Sequence, residues 1–250
     1  MCGIAGQISP QGLPQREPGF YDHILSTMTR RGPDQEGSYF DGACALLHRR
    51  LSVIDPGHGR QPMTLGGKTI VYNGELYNAP ELRQELIDLG ETFDTASDTE
   101  VLLRAYLRWG DCCPKKLNGI FAFAVYDPDR RRLFFARDPI GVKPLFYAQR
   151  GGSLFFASEL KSLLCFPEIL PVVDARGLYD LLFLGPGRTP GYGVFRGVYE
   201  LEPGTCGYFD ETGLHISRYW QLHDAPCTDS FEEASQKTRY LLEDSIRDRK

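Results

Sequence analysis

The second residue of the chain is a cysteine, within Met1-Cys2-Gly3-Ile4-Ala5-Gly6. A methionine followed by a small side chain is normally trimmed after synthesis. Trimming here would put a thiol and a free α-amine on one residue. The thiolate is the nucleophilic form of cysteine. An α-amine titrates near pH 7.7–8.0, close to the operating pH at which a general base works best. Cys2 could then supply nucleophile and base together, a cysteine counterpart of threonine paired with its own N-terminal amine. A chain that keeps Met1 has no such amine and is expected to be inactive. By itself, Cys2 reads equally as a small residue in a first strand.

Four other stretches carry residue types that packing does not require. Arg31-Gly32-Pro33-Asp34 is a turn whose flanking charges a turn does not need. In His48-Arg49-Arg50-Leu51-Ser52-Val53-Ile54-Asp55, two arginines precede an apolar run. An arginine fork holds a carboxylate through two parallel hydrogen bonds; the plainer reading is a solvated strand end. Val71-Tyr72-Asn73-Gly74-Glu75-Leu76-Tyr77-Asn78 places Asn-Gly after a strand. That pair is a common hairpin turn. Alternatively the Asn73 amide and the Gly74 N–H are two donors for a developing oxyanion. Asp98 is either a favourable charge in a helix's first turn or an acceptor for a substrate ammonium.

Combined, these parts describe a site for a free amino acid with a reactive side-chain carbonyl. Arg50 takes the α-carboxylate, and Asp98 with Glu75 takes the α-ammonium. Asn73 and Gly74 hold the oxyanion while Cys2 attacks. Glutamine fits, because its δ-amide is the reactive carbonyl at the end of such a scaffold.

The elements that must position these residues are legible in outline. Residues 2–8 read as a strand beginning at the terminus. Tyr21, Ile24, Leu25 and Met28 recur at helical spacing, with Gly32-Pro33 as the stop. Ala43–Leu47 and Thr69–Tyr72 read as buried strands. A helix over Pro80–Leu89 has Asn78 placed as its cap and Gly90 after its end. Ser97 and Glu100 have capping-box spacing before a helix with Val101, Leu102, Ala105 and Trp109 on its apolar side, closed by Gly110. Strands follow at Ile120–Tyr126, Leu133–Ala136, Leu145–Tyr147 and Leu154–Ala157, with turns at Asp127-Pro128-Asp129 and Arg150-Gly151-Gly152. Leu178–Leu184 reads as a short helix, and Gly207–Phe209 and His215–Tyr219 as strands. Ser230 and Glu233 form a second capping box, followed by an apolar stripe from Phe231 to Ser245. Local strand runs with separate helices indicate an α+β fold rather than regular strand–helix alternation.

Composition narrows the function classes. The chain has 250 residues, 42% hydrophobic and 24% charged, with a net charge of −5. The acidic balance argues against a general nucleic-acid or anionic-membrane surface. No apolar run reaches the roughly 20 residues of a membrane span, and the N-terminus lacks the pattern of a signal peptide. The seven cysteines have spacing that fits neither a disulfide framework nor a zinc site. A reducing cytoplasm is the expected location. No metal is expected in this chain.

The ordered set of motifs resembles the N-terminal glutaminase domain of glutamine-hydrolysing asparagine synthetases and, more broadly, class II glutamine amidotransferases with an N-terminal nucleophile. The matching pieces are Cys2-Gly3-Ile4, Arg31-Gly32-Pro33-Asp34, Arg50–Asp55, Asn73–Asn78, Ser97-Asp98, Leu117–Phe123, Arg137–Leu145 and Ala157–Lys161. They run in order from residue 2 to about 210. The resemblance implies a four-layer α/β/β/α sandwich of two mainly antiparallel sheets. It implies Cys2, Asn73 and Gly74 as catalytic residues. Glutamine contacts would come from Arg50, Leu51, Ser52, Val53, Ile54, Asn73, Gly74, Glu75 and Asp98. The implied mechanism passes through a glutamyl thioester on Cys2, with ammonia delivered through an internal channel to a synthetase domain that uses ATP and magnesium to activate aspartate. That domain's Ser-Gly-Gly-x-Asp-Ser loop does not occur in this sequence. Residues 2–215 are therefore expected to form the glutaminase domain, and 216–250 a linker and the first helix of a missing C-terminal synthetase domain. L-glutamine and that domain are the expected partners. The oligomeric state is left open, a homodimer included. The alternatives are an amidotransferase domain serving another acceptor and a non-catalytic glutamine-binding module.

Overall fold

A computed structural model of the chain describes residues 1–52, 55 and 57–247. In chain order the elements are β1 (Gly3–Ile8), α1 (Phe20–Thr27), β2 (Gln35–Phe40), β3 (Cys44–Arg50), β4 (Met63–Leu65), β5 (Lys68–Leu76), α2 (Ala79–Asp88) and α3 (Asp98–Trp109). After a 3₁₀ turn come β6 (Gly119–Asp127), β7 (Arg132–Arg137), β8 (Phe146–Arg150), β9 (Ser153–Ala157), α4 (Leu160–Leu163) and α5 (Ala175–Tyr179). The last elements are β10 (Tyr199–Glu200), β11 (Thr205–Asp210), β12 (Gly213–Arg218) and α6 (Phe231–Arg247).

The strands form two six-stranded sheets, ordered β10-β8-β9-β1-β3-β2 and β12-β11-β7-β6-β5-β4. Every strand pairing within them is antiparallel. Side chains alternate between the faces of a strand, so each strand here feeds two apolar layers. Ile4 and Ile8 of β1 meet Ala122, Ala124 and Tyr126 of β6 between the sheets. Ala5 of β1 joins Ile24, Leu25 and Met28 on the outer face of the first sheet. Phe121, Phe123 and Val125 pack under Leu82, Leu86, Val101 and Leu102 on the outer face of the second. Three apolar layers make four layers of structure, the expected α/β/β/α sandwich of an α+β fold. Burial on both faces is why β6 reads as an unbroken apolar run. Each buried phenylalanine there contributes about 1.5–3 kcal/mol.

Local chemistry moves several boundaries away from the sequence reading. The first helix ends at Thr27 rather than continuing to Gly32-Pro33. The hydroxyls of Ser26, Thr27 and Thr29 donate back to His23 O, Ile24 O and Ser26 O, in competition with the helical ladder. Asn78 stands at the N-cap of α2 as expected, but its side chain makes no cap bond. Its amide donates to Lys116 O at 2.9 Å and accepts from Asn118 N at 2.9 Å, tying the start of α2 to the entry of β6. Asn73-Gly74 is not a hairpin turn: β5 runs straight through it, with Asn73 opposite Ala122 and Gly74 opposite Phe121. The helix expected at Leu178–Leu184 divides into α5 and a wider π-type turn over Asp180–Leu184. The capping box at Ser97 is half made. Ser97 Oγ accepts from Glu100 N at 3.3 Å, while the Glu100 carboxylate serves Asp94, Thr95 and Arg104. The box at Ser230 closes in both directions and starts α6, none of whose described residues is buried. Strands β2, β4 and β10 had no sequence expectation.

Candidate active site

Two sheets and one helix converge on a cavity of about 200 Å³ lined by Cys2, Arg50, Leu51, Asn73, Gly74, Glu75 and Asp98, together with Met1, Gln61, Tyr72, Ser97, Thr99 and Lys143. That volume lies below the roughly 300–1,000 Å³ of sites for drug-sized ligands and suits a molecule of amino-acid size.

Cys2 stands one residue before β1, which lies between β3 and β9. Its thiol meets the end of β3, where Leu51 N donates to Sγ at 3.4 Å and Sγ approaches Leu51 O at 3.8 Å. Arg31 Nε donates to Cys2 O at 2.8 Å. The Arg-Gly-Pro-Asp turn makes this possible. Asp34 N donates to Arg50 O at 3.1 Å, and a Cβ on Gly32 would stand 2.3 Å from the Arg49 carbonyl carbon, so only glycine lets the turn lie on β3. Asp34 then accepts from Ser52 N at 2.7 Å.

Burial pushes the Cys2 thiol up from its ordinary value, against the Leu51 N–H and the nearby N-terminal and Arg50 cations. Burial thus favours the thiol over the thiolate. The chain's α-amine is held below its ordinary value, first by burial and then by the Lys143 and Arg31 cations, with Cys2 opposing. In this structure that amine belongs to Met1, which is itself at the cavity.

Asn73 is fully buried, and neither end of its amide has a protein partner among the described residues. Unpaired buried amides are costly and rare, and this one lines the cavity beside Cys2. The Gly74 N–H is placed by alternation. Tyr72 N donates to Gln61 Oε1 at 2.6 Å and Leu76 N to Asp98 Oδ2 at 3.3 Å, both away from β6. Backbone donors on a strand alternate in direction, so Gly74, between those two residues, points its N–H to the same open edge. A Cβ at Gly74 would stand 2.4 Å from Ile120 O and 2.5 Å from Tyr72 Cε2.

The charged end is built from β3 and α3. Arg50 is buried; its Nη1 donates to Gln35 Oε1 at 3.0 Å and Nη2 to Asp55 O at 2.8 Å. Asp98, at the first turn of α3, accepts from Tyr72 Oη at 2.9 Å. Burial raises its carboxyl above the ordinary range, the Tyr72 and Leu76 donors oppose the rise, and Glu75 reinforces it. Neither Asp98 nor Glu75 forms an ion pair among the described residues. Glu75 is exposed at the mouth.

The structure thus brings Cys2, Arg50, Leu51, Asn73, Gly74, Glu75 and Asp98 together. Ser52 is adjacent but does not line the cavity. Val53 and Ile54 lie outside the described residues. Sequence reasoning assigned no role to Arg31, Gln61, Thr99 or Lys143. Arg31 and Lys143 stood within motifs it quoted. Gln61 and Thr99, joined at 3.2 Å, gave no signal. His48 is fully buried, its Nε2 donating to Tyr72 O at 3.1 Å across the two sheets. Burial, with Arg50 adding to it, lowers its imidazole to about 3, which makes it a neutral structural link.

A four-layer sandwich of two antiparallel sheets, with the thiol of its second residue at a cavity between sheet ends, is the fold of the N-terminal-nucleophile hydrolases. The profile of the family described as a glutamine amidotransferase domain matches residues 1–220, and the chain belongs to that family. Among its relatives, Asparagine synthetase [glutamine-hydrolyzing] 3 of Bacillus subtilis is 44% identical over 250 residues, covering 98% of this chain and 41% of the relative. Asparagine synthetase [glutamine-hydrolyzing] 1 of the same organism is 40% identical over 251 residues, covering 98% and 39%. The chain spans about two fifths of the length of these curated relatives. Glutamine phosphoribosylpyrophosphate amidotransferase from B. subtilis, solved with ADP and GMP, shares the fold with TM-score 0.62 at 22% identity over 88% of this chain and 50% of that one. Among the described residues no helix is long and apolar enough to cross a membrane.

Proposed function

We propose that this chain hydrolyses the side-chain amide of L-glutamine with Cys2 as nucleophile, once Met1 has gone. The Cys2 α-amine accepts the thiol proton as sulfur bonds to the δ-carbon. The oxyanion that forms is held by Asn73 Nδ2 and the Gly74 N–H. Collapse breaks the C–N bond, the α-ammonium returns its proton to the departing nitrogen, and ammonia leaves. Water then attacks the glutamyl thioester, glutamate departs and the thiol re-forms. Arg50 grips the α-carboxylate, with Leu51 beside it. Asp98, assisted by Glu75, grips the α-ammonium, which offsets the cost of a buried carboxylate. Roles for Ser52, Val53 and Ile54 belong to the same reading.

The observation that carries the proposal is one cavity shared by the Cys2 thiol, the unpartnered Asn73 amide, the Arg50 guanidinium and the Asp98 carboxylate. The relatives' names support a second stage. A synthetase half with ATP and magnesium uses the ammonia to amidate aspartate, and that half is this domain's partner.

The test follows glutamate and ammonia release from glutamine by the chain processed to Cys2, as verified by intact mass, beside its Cys2→Ala variant. Turnover is expected from the first alone; turnover persisting in the second overturns the mechanism. For the second stage, the whole protein given ¹⁵N-amide glutamine, aspartate, ATP and magnesium is expected to form ¹⁵N-asparagine. Release of labelled ammonia without labelled asparagine overturns that acceptor.

A further inference from the structure

The loop after β7 has no part in the mechanism above, yet it is unusually well tied. Asp138 is fully buried and accepts from the backbone N–H groups of Phe121, Ile140, Val142 and Lys143 at 3.2, 3.1, 2.9 and 3.0 Å. Arg137 donates through Nε to Lys143 O and through Nη2 to Gly141 O, each at 2.7 Å. It also pairs with Glu200 at 3.0 Å. The loop turns through Gly141 at φ 74°. All of this bonding delivers one side chain, that of Lys143, to the wall of the Cys2 cavity, where it is 7% exposed. Lys143 makes no ion pair among the described residues, so its ammonium faces the cavity without a paired carboxylate. Burial, with Arg31 adding to it, lowers the Lys143 ammonium from its ordinary value, while Cys2, Glu75 and Asp138 favour the charged form; as a cation it acts on its neighbours through charge.

We propose that Lys143 is a positioning charge for the hydrolytic reaction: its ammonium, held at the cavity wall beside the nucleophile, disfavours a proton on the Cys2 α-amine, so the amine remains the free base that accepts the thiol proton. This rests on the glutaminase reading above. The same repulsion helps the amine return its proton to the departing nitrogen.

The other charged and titratable groups around the amine are the Cys2 thiol, Arg31 and Asp34 from the turn, Arg50 from β3, Glu75 from β5 and Asp98 from α3. Arg31 is committed to Cys2 O. Arg50 is held by Gln35 Oε1 and Asp55 O. In this structure the N-terminal amine is that of Met1; burial is the larger cause of its lowering, and among the cations Lys143 precedes Arg31.

Two measurements test this on the protein processed to Cys2, using the parent, Lys143→Gln and Lys143→Arg. The first is an NMR titration of the Cys2 Cα signal in ¹³C-cysteine-labelled protein, which reads the amine without turnover. The second is kcat/KM against pH, whose acid limb reports the free enzyme's base. Lys143→Gln should move both midpoints upward, so that kcat/KM falls severalfold more on the acid side than on the alkaline side. Lys143→Arg should leave both near the parent. Midpoints unmoved in Lys143→Gln overturn the proposal, including the case where activity drops equally at every pH, and so does an equal displacement in Lys143→Arg. A parent chain that does not hydrolyse glutamine defeats the glutaminase reading, while the NMR titration still decides Lys143.

Discussion

Replacing Asn73 by alanine should separate catalysis from stability in opposite directions. Its amide is fully buried, and both its nitrogen and its oxygen lack a protein partner. A buried polar group left unpaired costs about 1–3 kcal/mol. Truncation removes two such groups. Against this stand the lost dispersion contacts of three heavy atoms and any hydration the amide has from the cavity. The expected balance is a folded chain no less stable than the parent and up to about 1–2 kcal/mol more so. For a domain of this size that is about 2–4 °C in Tm per kcal/mol. If Asn73 Nδ2 is one of two oxyanion donors, kcat should fall by about 10²–10³, or roughly 2.7–4 kcal/mol of transition-state stabilisation. KM should change little, because the donor strengthens its bond only as charge develops. Thermal unfolding and steady-state glutamate release on the same preparation measure both quantities. A Tm lowered by more than about 4 °C would mean that Asn73 is a structural residue. A kcat within about threefold of the parent, under 1 kcal/mol, would remove it from the reaction.

Two further predictions concern pH. Burial raises the Asp98 carboxyl, so the folded chain holds that proton more tightly than the unfolded one. Stability then falls as pH rises from the ordinary carboxylate value through the raised one. Asp98→Asn should flatten that part of the stability curve and raise KM for glutamine by an order of magnitude or more; an unchanged KM would remove Asp98 from substrate binding. His48 behaves oppositely. Its folded value near 3 lies below the unfolded value near 6.5, so it stays neutral while the unfolded chain takes up a proton. Its stability contribution is complete above about pH 6.5 and lost as pH falls toward 3, on the order of 4 kcal/mol at the limit. His48→Gln should reduce acid sensitivity across that window in urea melts at stepped pH, and an identical slope would contradict the assignment.

What the sequence disclosed was chemistry and period; what it hid was edge geometry. Strands buried on both faces, such as β6 and β9, announce themselves as apolar runs. Strand β2, at a sheet edge, alternates half-buried and exposed residues and carries glycine, serine and charge, so it reads as loop. Asn73-Gly74 misleads for a related reason. The dipeptide that usually reverses a chain is used here inside a strand, where glycine's missing Cβ admits Ile120 O. Asn78 misleads because a cap position is defined by chain direction, while the long-range acceptor and donor it meets, at Lys116 and Asn118, are invisible locally. The residues that gather at the cavity were legible because their chemistry exceeded what packing needs. Gln61 and Thr99 were not, because an amide and a hydroxyl have ordinary uses everywhere.

The deeper dependence is between the sheets. The Cys2 thiol belongs to the sheet of β1, and Asn73 and Gly74, the proposed oxyanion donors, belong to the sheet of β5. Their separation is therefore set by the apolar layer between sheets, which normally spaces them about 10 Å apart. At the cavity end that layer is filled by small side chains. Ala122 stands opposite Asn73 on β6, and Ala124 follows it, both fully buried. Tyr126, Phe156 and Phe209 supply larger side chains to the same layer. The His48–Tyr72 bond crosses the layer one residue from Asn73 and ties the two sheets there. Because close-packed layers shift rather than compress, and displacements near 1 Å at reacting atoms can cost about 10²-fold in rate, volume in this layer is a catalytic variable as well as a structural one.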